Sequence, residues 1–277
     1  VFVAKENVGK TRVMIHLIAR LIRNGVKPFF ACGESPKELM FYNIVSSYIY
    51  QEYGMFFESQ YLTGPGYESL SPEDQQIVNT AIARVAASGL VISNNLSYDT
   101  LSSKITHYYE KGCEAFFIDH TQSLRGRNGR PIGDLVTALA LDCRELKNEL
   151  PIYICVASHP GSELKELMQK DNLKNIQKSI TAQSNALAQE ADEVFILNET
   201  DYLRTQGLLS WTTYKRREAE KPPVFYIRKH FNVSAFEYDS KYQGANVVDE
   251  ETLDGLIGSI SGDFEDEEVD PELQIEF

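Results

Sequence analysis

Basic residues are missing from the end of this chain. Between Asp249 and Phe277 there are twelve acids and no Lys or Arg. Nearly all of the net charge of −13 therefore belongs to the tail, and residues 1–248 are close to neutral. That asymmetry removes the objection to polynucleotide binding that the overall charge would raise. An uncharged apolar run of about 18–20 residues is also missing, as is a signal-peptide pattern, which excludes a helical membrane span and predicts a cytoplasmic protein. Cysteines are few. Cys32, Cys113, Cys143 and Cys155 show no C-x-x-C spacing, so they read as buried free thiols in a reducing compartment rather than as a disulfide framework or zinc site.

What is present is ordinary globular material: 277 residues with 43% hydrophobic and 24% charged side chains, enough for one large α/β domain or two small ones. Strands are predicted at 1–4, 28–32, 90–92, 115–119, 152–157 and 194–197. Helices are predicted from Lys10 to Asn24, from a Ser35 cap to Tyr53, from Ser71 to Ser88, and over 98–111, 133–149 and 182–189. Residues 64–66 read as a turn. This alternation predicts an α/β fold with a mostly parallel sheet flanked by helices over residues 1–248. A closing antiparallel hairpin of 223–227 with 234–238 follows, and then a disordered acidic tail over 249–277. The chain opens inside its first strand, which predicts that the natural protein extends further at its N-terminus.

The strongest local signal lies in Val1-Phe2-Val3-Ala4-Lys5-Glu6-Asn7-Val8-Gly9-Lys10-Thr11-Arg12. An apolar strand runs into a loop closed by Gly-Lys-Thr, and an amphipathic helix with Val13, Met14, Leu17, Ile18, Leu21 and Ile22 follows. That order builds a phosphate cradle, because loop and helix N–H groups point at the anion and the helix dipole favours negative charge. Residues 4–12 are the predicted nucleotide contacts: Lys10 reaches the β- and γ-phosphates and the Thr11 hydroxyl ligates magnesium. Ala4 stands where the G-x-x-x-x-G-K-S/T pattern has its first glycine.

Three further residues sit at predicted strand ends. Asp119 closes the buried run from Ala115 and stands where a magnesium-coordinating acid belongs. Glu34 either orients or deprotonates an attacking water, or is an ordinary loop acid before Ser35. His159 is either a group that senses the γ-phosphate or a satisfied surface histidine. Two basic segments follow such strand ends: Arg125, Arg127 and Arg130, then Lys165, Lys170, Lys174 and Lys178. They read as polynucleotide-backbone contacts, with a solvated face as the alternative.

These segments together resemble the motor domain of DnaB-type replicative DNA helicases. Ala4 to Thr11 is similar to their phosphate loop, Glu34-Ser35-Pro36 with Glu38-Leu39-Met40 to their catalytic-glutamate segment, and Phe117 to Leu124 to their Walker B segment. Ser158-His159-Pro160 resembles the His-containing sensor of Twinkle-like and bacteriophage primase-helicases, and Ser184 to Asp192 resembles the signature before the next strand. The resemblance covers roughly residues 1–240. It implies a RecA-like core, ATP (or another NTP) with Mg2+ at subunit interfaces, a homo-hexameric ring and single-stranded DNA in its channel. For a viral protein the compartment becomes the host cytoplasm.

One departure concerns the cross-subunit cation. Family members place Lys, any residue, then an Arg finger on a late strand, and the matching positions here are Arg228, Lys229 and His230. Histidine is a weaker, pH-dependent cation than arginine. The family's N-terminal domain and linker helix have no counterpart in these residues. A RecA/RadA-like recombinase and a helicase-derived loader or scaffold with little turnover are the rival readings. The tail, with Phe264, Val269, Leu273, Ile275 and Phe277 among its acids, is a solubilising end, a recruiting peptide for a primase or polymerase, or a charge that repels DNA from the basic segments.

Overall fold

The computed structural model describes residues 1–125, 131–169, 185–217 and 219–239. The strands are β1 (Phe2–Val3), β2 (Pro28–Cys32), β3 (Val91–Ser93), β4 (Ala115–Asp119), β5 (Tyr153–Ser158), β6 (Glu193–Asn198), β7 (Leu208–Arg216), β8 (Phe225–His230) and β9 (Ala235–Tyr238). They form one sheet in the order β3-β2-β4-β5-β1-β6-β7-β8-β9. Pairing is parallel from β3 to β6 and antiparallel from β6 to β9.

The helices are α1 (Lys10–Arg23), α2 (Lys37–Tyr53), α3 (Gly64–Glu68), α4 (Pro72–Ala87), α5 (Tyr98–Tyr109), α6 (Ile132–Glu149), α7 (Ser162–Gln169), α8 (Asn185–Glu190) and α9 (Asp201–Thr205). Central parallel strands must be apolar on both faces, and every residue of β2 and β4 is buried. Successive side chains alternate between two cores. Phe30 and Phe117 join Ile18, Ile44 and Val78 of α1, α2 and α4, while Phe29, Phe116 and Ile118 join Leu101, Ile105 and Leu139 of α5 and α6. Each fully buried phenylalanine contributes roughly 1.5–3 kcal/mol. With helices clamping both faces, the loops at the strands' carboxyl ends have a rigid base.

Several local expectations need correction. Pro36, not Ser35, holds the cap position of α2, and no side-chain cap bond is made there. The Ser71 hydroxyl does cap α4, accepting from the Asp74 N–H at 3.1 Å. The turn predicted at 64–66 opens the short helix α3. The segment after His159, where no helix was predicted, folds into α7. The closing hairpin is part of a larger antiparallel unit, because β7 was not expected. Its buried positions include Ser210, Thr212 and Thr213, so polar residues stand where buried apolar ones would mark a strand. The four thiols are free, with Cys32 and Cys113 buried and Cys143 and Cys155 half-buried. Among the described residues no helix is long and apolar enough to cross a membrane. The boundary at 249 and the acidic tail lie outside the described residues.

Candidate functional site

Parallel strands joined by crossover helices place the loops after β1, β2, β4 and β5 on one sheet edge. The loop from Ala4 to Gly9, Glu34, Asp119 and His159 therefore meet although they are far apart in sequence. Two residues shape the loop: Asn7 has φ 61° and Gly9 has φ 114°. Gly9 also has a steric reason to lack a side chain, since a Cβ there would lie 2.8 Å from the Phe231 ring.

Helix α1 starts at Lys10, so its first N–H groups open toward this edge. The Lys10 ammonium reaches three acceptors: the carbonyls of Ala4 at 2.7 Å and Lys5 at 2.9 Å, and His159 Nδ1 at 3.2 Å. Burial pushes its pKa down to about 8, against the pull of Asp119, Glu6 and Glu34, so it stays charged at neutral pH. An ammonium has no lone pair, so His159 must accept at Nδ1 and carry its proton at Nε2. Burial, then Lys10 and His120, lower the His159 pKa to about 4, which keeps this ring neutral.

The Thr11 hydroxyl donates to Asp119 Oδ2 at 2.6 Å. The Asp119 carboxyl is only 4% exposed. Burial raises its pKa, and the Thr11 hydrogen bond, His120 and Lys10 oppose that rise. The second oxygen, Oδ1, is buried with no hydrogen-bond partner. A hydroxyl beside an unpaired carboxylate oxygen is a hard donor set that fits magnesium, which takes oxygen ligands and completes its shell with phosphates and water.

Glu34 is two-thirds exposed, at 67%. Its Oε1 accepts from the Ser123 hydroxyl at 3.4 Å and lies 3.7 Å from His120 Nε2. Arg12 donates to Asn43 Oδ1 at 3.1 Å and to Ser234 Oγ at 2.5 Å, tying α1 to α2 and to the turn before β9.

A cavity of about 680 Å³ joins these groups, lined by Glu6, Asn7, Gly9, Lys10, Thr11, Arg12, Glu34, Asp119 and His159. His120, Gln122, Ser123 and Phe231 line it too, and sequence reasoning gave none of these four a role. The signal for three of them was that they are polar, directly follow the Asp119 strand and fall within the segment from Phe117 to Leu124. Ala4 and Val8 are buried beneath the loop. Lys5 lies off the cavity lining, where burial and then Lys165 lower its pKa.

Arg228, Lys229 and His230 sit together on β8, and none of them lines this cavity. Arg228 pairs with Asp239 and donates to the Gln206 carbonyl at 3.2 Å. Lys229 pairs with the buried Glu199 carboxylate and lies 4.9 Å over the Phe231 ring. His230 Nε2 is 3.2 Å from Glu237 Oε2, with its ring against Tyr50 and Phe56. Arg125 is exposed and bridged to the residues before α5, its carbonyl accepting from the Tyr98 N–H at 3.0 Å. Lys165 is exposed on α7. Arg127, Arg130, Lys170, Lys174 and Lys178 lie outside the described residues.

A second cavity, of about 710 Å³, lies at the amino ends of the parallel strands and includes Phe2, Phe117, Ile154 and Cys155 in its wall. None of the predicted site residues lines it.

No known protein-family profile matches the chain, and no curated protein sequence matches it. Solved structures do. The ATPase domain of a phage protein superposes with a TM-score of 0.70 at 16% identity, covering 86% of this chain and 83% of that one. A DnaB-like replicative helicase, solved in a study of its interactions with primase, superposes with a TM-score of 0.69 at 15% identity, covering 85% of this chain. The likeness extends over 56% of that helicase, so the chain spans about half of its length. The fold is the RecA-like one of DnaB-type helicase motor domains.

Proposed function

We propose that this chain is the nucleoside-triphosphate-hydrolysing motor domain of a DnaB-type, bacteriophage-like replicative helicase, acting as a hexamer on single-stranded DNA. The observation that carries this reading is the Thr11–Asp119 hydrogen bond of 2.6 Å beside the buried Lys10 ammonium, within one cavity at the carboxyl edge of the sheet. The likeness to helicase ATPase domains supports the motor role.

In this reading the loop N–H groups and Lys10 bind the phosphates of ATP or another NTP. Thr11 and Asp119 hold magnesium, which when bound supplies positive charge against the phosphate oxygens. Glu34 takes a proton from the attacking water. His159 exchanges its contact with Lys10 for one with phosphate, reporting nucleotide state to α7 and the basic segment around it. Arg228, Lys229 and His230 serve the neighbouring subunit's site. Arg125, Arg127, Arg130, Lys165, Lys170, Lys174 and Lys178 contact the DNA backbone, and the acidic tail engages a primase or polymerase.

One observation favours a second reading, a loader or scaffold with little turnover. Arg228 and Lys229 are already paired with carboxylates of their own chain, Asp239 and Glu199, and must exchange those partners to act across an interface. Nucleotide hydrolysis measured with and without single-stranded DNA, alongside strand displacement, separates the two. Stimulated hydrolysis with unwinding supports the motor, binding without stimulated turnover supports the scaffold, and strand exchange without unwinding supports a recombinase.

A further inference from the structure

Resting on the hydrolase reading above, we infer that His120 is a positioning residue for Glu34: its Nε2–H orients the carboxylate that takes the proton from water. Glu34 is far less anchored than Asp119. It follows β2 in a loop and is 67% exposed, whereas Asp119 closes a strand and is 4% exposed. A carboxylate on an exposed loop samples many rotamers, yet proton abstraction requires one geometry. Both of its contacts here fall on the same oxygen, Oε1: Ser123 Oγ at 3.4 Å and His120 Nε2 at 3.7 Å. Both distances are long for hydrogen bonds, as catalytic contacts without substrate often are, and they shorten when the reacting groups close.

His120 is built to be a fixed anchor rather than a passing neighbour. Its side chain is 12% exposed. Its ring meets His159 edge to face, with centroids 4.7 Å apart and planes at 87°. His159 in turn reaches Lys10 through Nδ1 at 3.2 Å. The water-activating carboxylate and the phosphate-binding lysine are thereby the two ends of one array, Glu34–His120–His159–Lys10, which crosses the cavity. Movement of His159 when Lys10 takes up phosphate is felt by the ring that aims Glu34. The array ties readiness of the base to occupancy of the phosphate site.

The test compares two substitutions that separate donor from packing. His120→Phe keeps an aromatic ring against His159 and removes the donor. His120→Gln removes the ring and keeps an N–H donor close to the place of Nε2. We expect His120→Phe to lower kcat about tenfold with nucleotide affinity changed less than about twofold, and His120→Gln to recover most of the rate. In a Glu34→Gln background His120→Phe should have no further effect, because the group it positions is already disabled. The reverse order, with Phe near wild type and Gln impaired, overturns the inference and leaves His120 as packing. So does full additivity of His120→Phe with Glu34→Gln. A wild-type chain that binds no nucleotide, or binds it without hydrolysis even with single-stranded DNA present, instead refutes the hydrolase reading, and the inference falls with it. Circular dichroism and nucleotide affinity of each variant show that a lost rate is not lost folding.

Discussion

The two ends of the parallel strands in this sheet are built by different rules. At the carboxyl ends, charged groups are buried among polar partners: Lys10 and Asp119 are 7% and 4% exposed, the first held by the Ala4 and Lys5 carbonyls and the second by the Thr11 hydroxyl. At the amino ends an apolar-walled cavity of slightly larger volume is rimmed by ion pairs that keep contact with solvent, Arg144–Glu190 at 2.9 Å, the half-buried Arg216–Glu193 at 2.9 Å and Lys147–Asp192 at 2.5 Å. Burying a charge costs free energy that a surface pair never spends. A sheet that accepts this cost at one edge and avoids it at the other marks the first for chemistry, whatever the size of the holes. Under the proposed function, the reaction lies at the smaller cavity and not at the larger one.

The largest expected effect comes from removing the buried cation. Lys10→Ala should weaken nucleotide binding by roughly 10- to 100-fold, the loss of charge-assisted phosphate contacts. Glu34→Gln should leave binding intact and slow turnover by about 10²-fold or more. Arg144→Ala, at the other edge, should change neither. Calorimetric nucleotide affinity with steady-state hydrolysis checks all three. Comparable damage from Arg144→Ala would erase the distinction between the edges, and near-normal turnover by Glu34→Gln would remove Glu34 from its role.

Much of this edge was readable from the sequence, for a physical reason. The phosphate loop, Asp119 and His159 each follow a continuous apolar run, and a parallel strand has to be such a run, so residue type and position coincide. The β7 strand was not readable because Ser210, Thr212 and Thr213 are buried polar residues in it. The helix α7 is only eight residues long, and its apolar positions Leu164, Leu167 and Met168 give barely one period of helical spacing. The roles of His120, Ser123 and Phe231 depend on contacts across more than 85 residues of sequence, such as Ser123 with Glu34. Periodicity carries no information at that range.

Glycine substitution at the two edges gives the next largest contrast. Gly9 and Gly25 both have positive φ, 114° and 80°. An added Cβ at Gly9 meets the Phe231 ring at 2.8 Å, while at Gly25 nothing lies within 4 Å. Gly9→Ala should cost roughly 2–4 kcal/mol from backbone strain plus overpacking, and Gly25→Ala about 1–2 kcal/mol from strain alone. Denaturant unfolding measures both. If Phe231→Ala fails to relieve part of the Gly9→Ala loss, the ring contact is not what makes Gly9 special.

Between the edges lies a histidine that reads the pH. His16, on α1 just beyond the phosphate loop, faces Phe236 edge to face at 5.8 Å and takes Gln51 Nε2 at 3.1 Å on its Nδ1. Burial, then Arg20 and Arg23, lower its pKa from 6.5 to about 3. The folded chain therefore keeps this ring neutral while the unfolded chain protonates it near pH 6.5. Protons bind the unfolded state better, so the contribution is fully present above about pH 6.5 and is lost as pH falls toward 3. The ceiling on that loss is about 1.4 kcal/mol per pH unit. Unfolding free energies at pH 7 and pH 5 should converge in His16→Gln relative to wild type. An unchanged slope would mean that His16 titrates alike in both states.

The smallest effect is expected at the amino-end rim, and its smallness is the point of the measurement. Lys147 reaches Asp192 at 2.5 Å, and Arg217 reaches the other oxygen of the same carboxylate at 3.4 Å. All three side chains are more than two-fifths exposed, at 44% for Lys147 and 42% for both Asp192 and Arg217. Water screens such pairs, and ordering two long side chains offsets part of the attraction. When Lys147 is removed, Asp192 keeps Arg217, so no charge is left stranded. Lys147→Ala should therefore cost less than about 1 kcal/mol, the loss should shrink further at high salt, and nucleotide affinity and hydrolysis should be unchanged. Denaturant unfolding at low and high salt, with hydrolysis measured on the same sample, reads all of this. A salt-insensitive loss above about 2 kcal/mol would show that the rim pair behaves as a buried one, and the two edges would then follow a single rule.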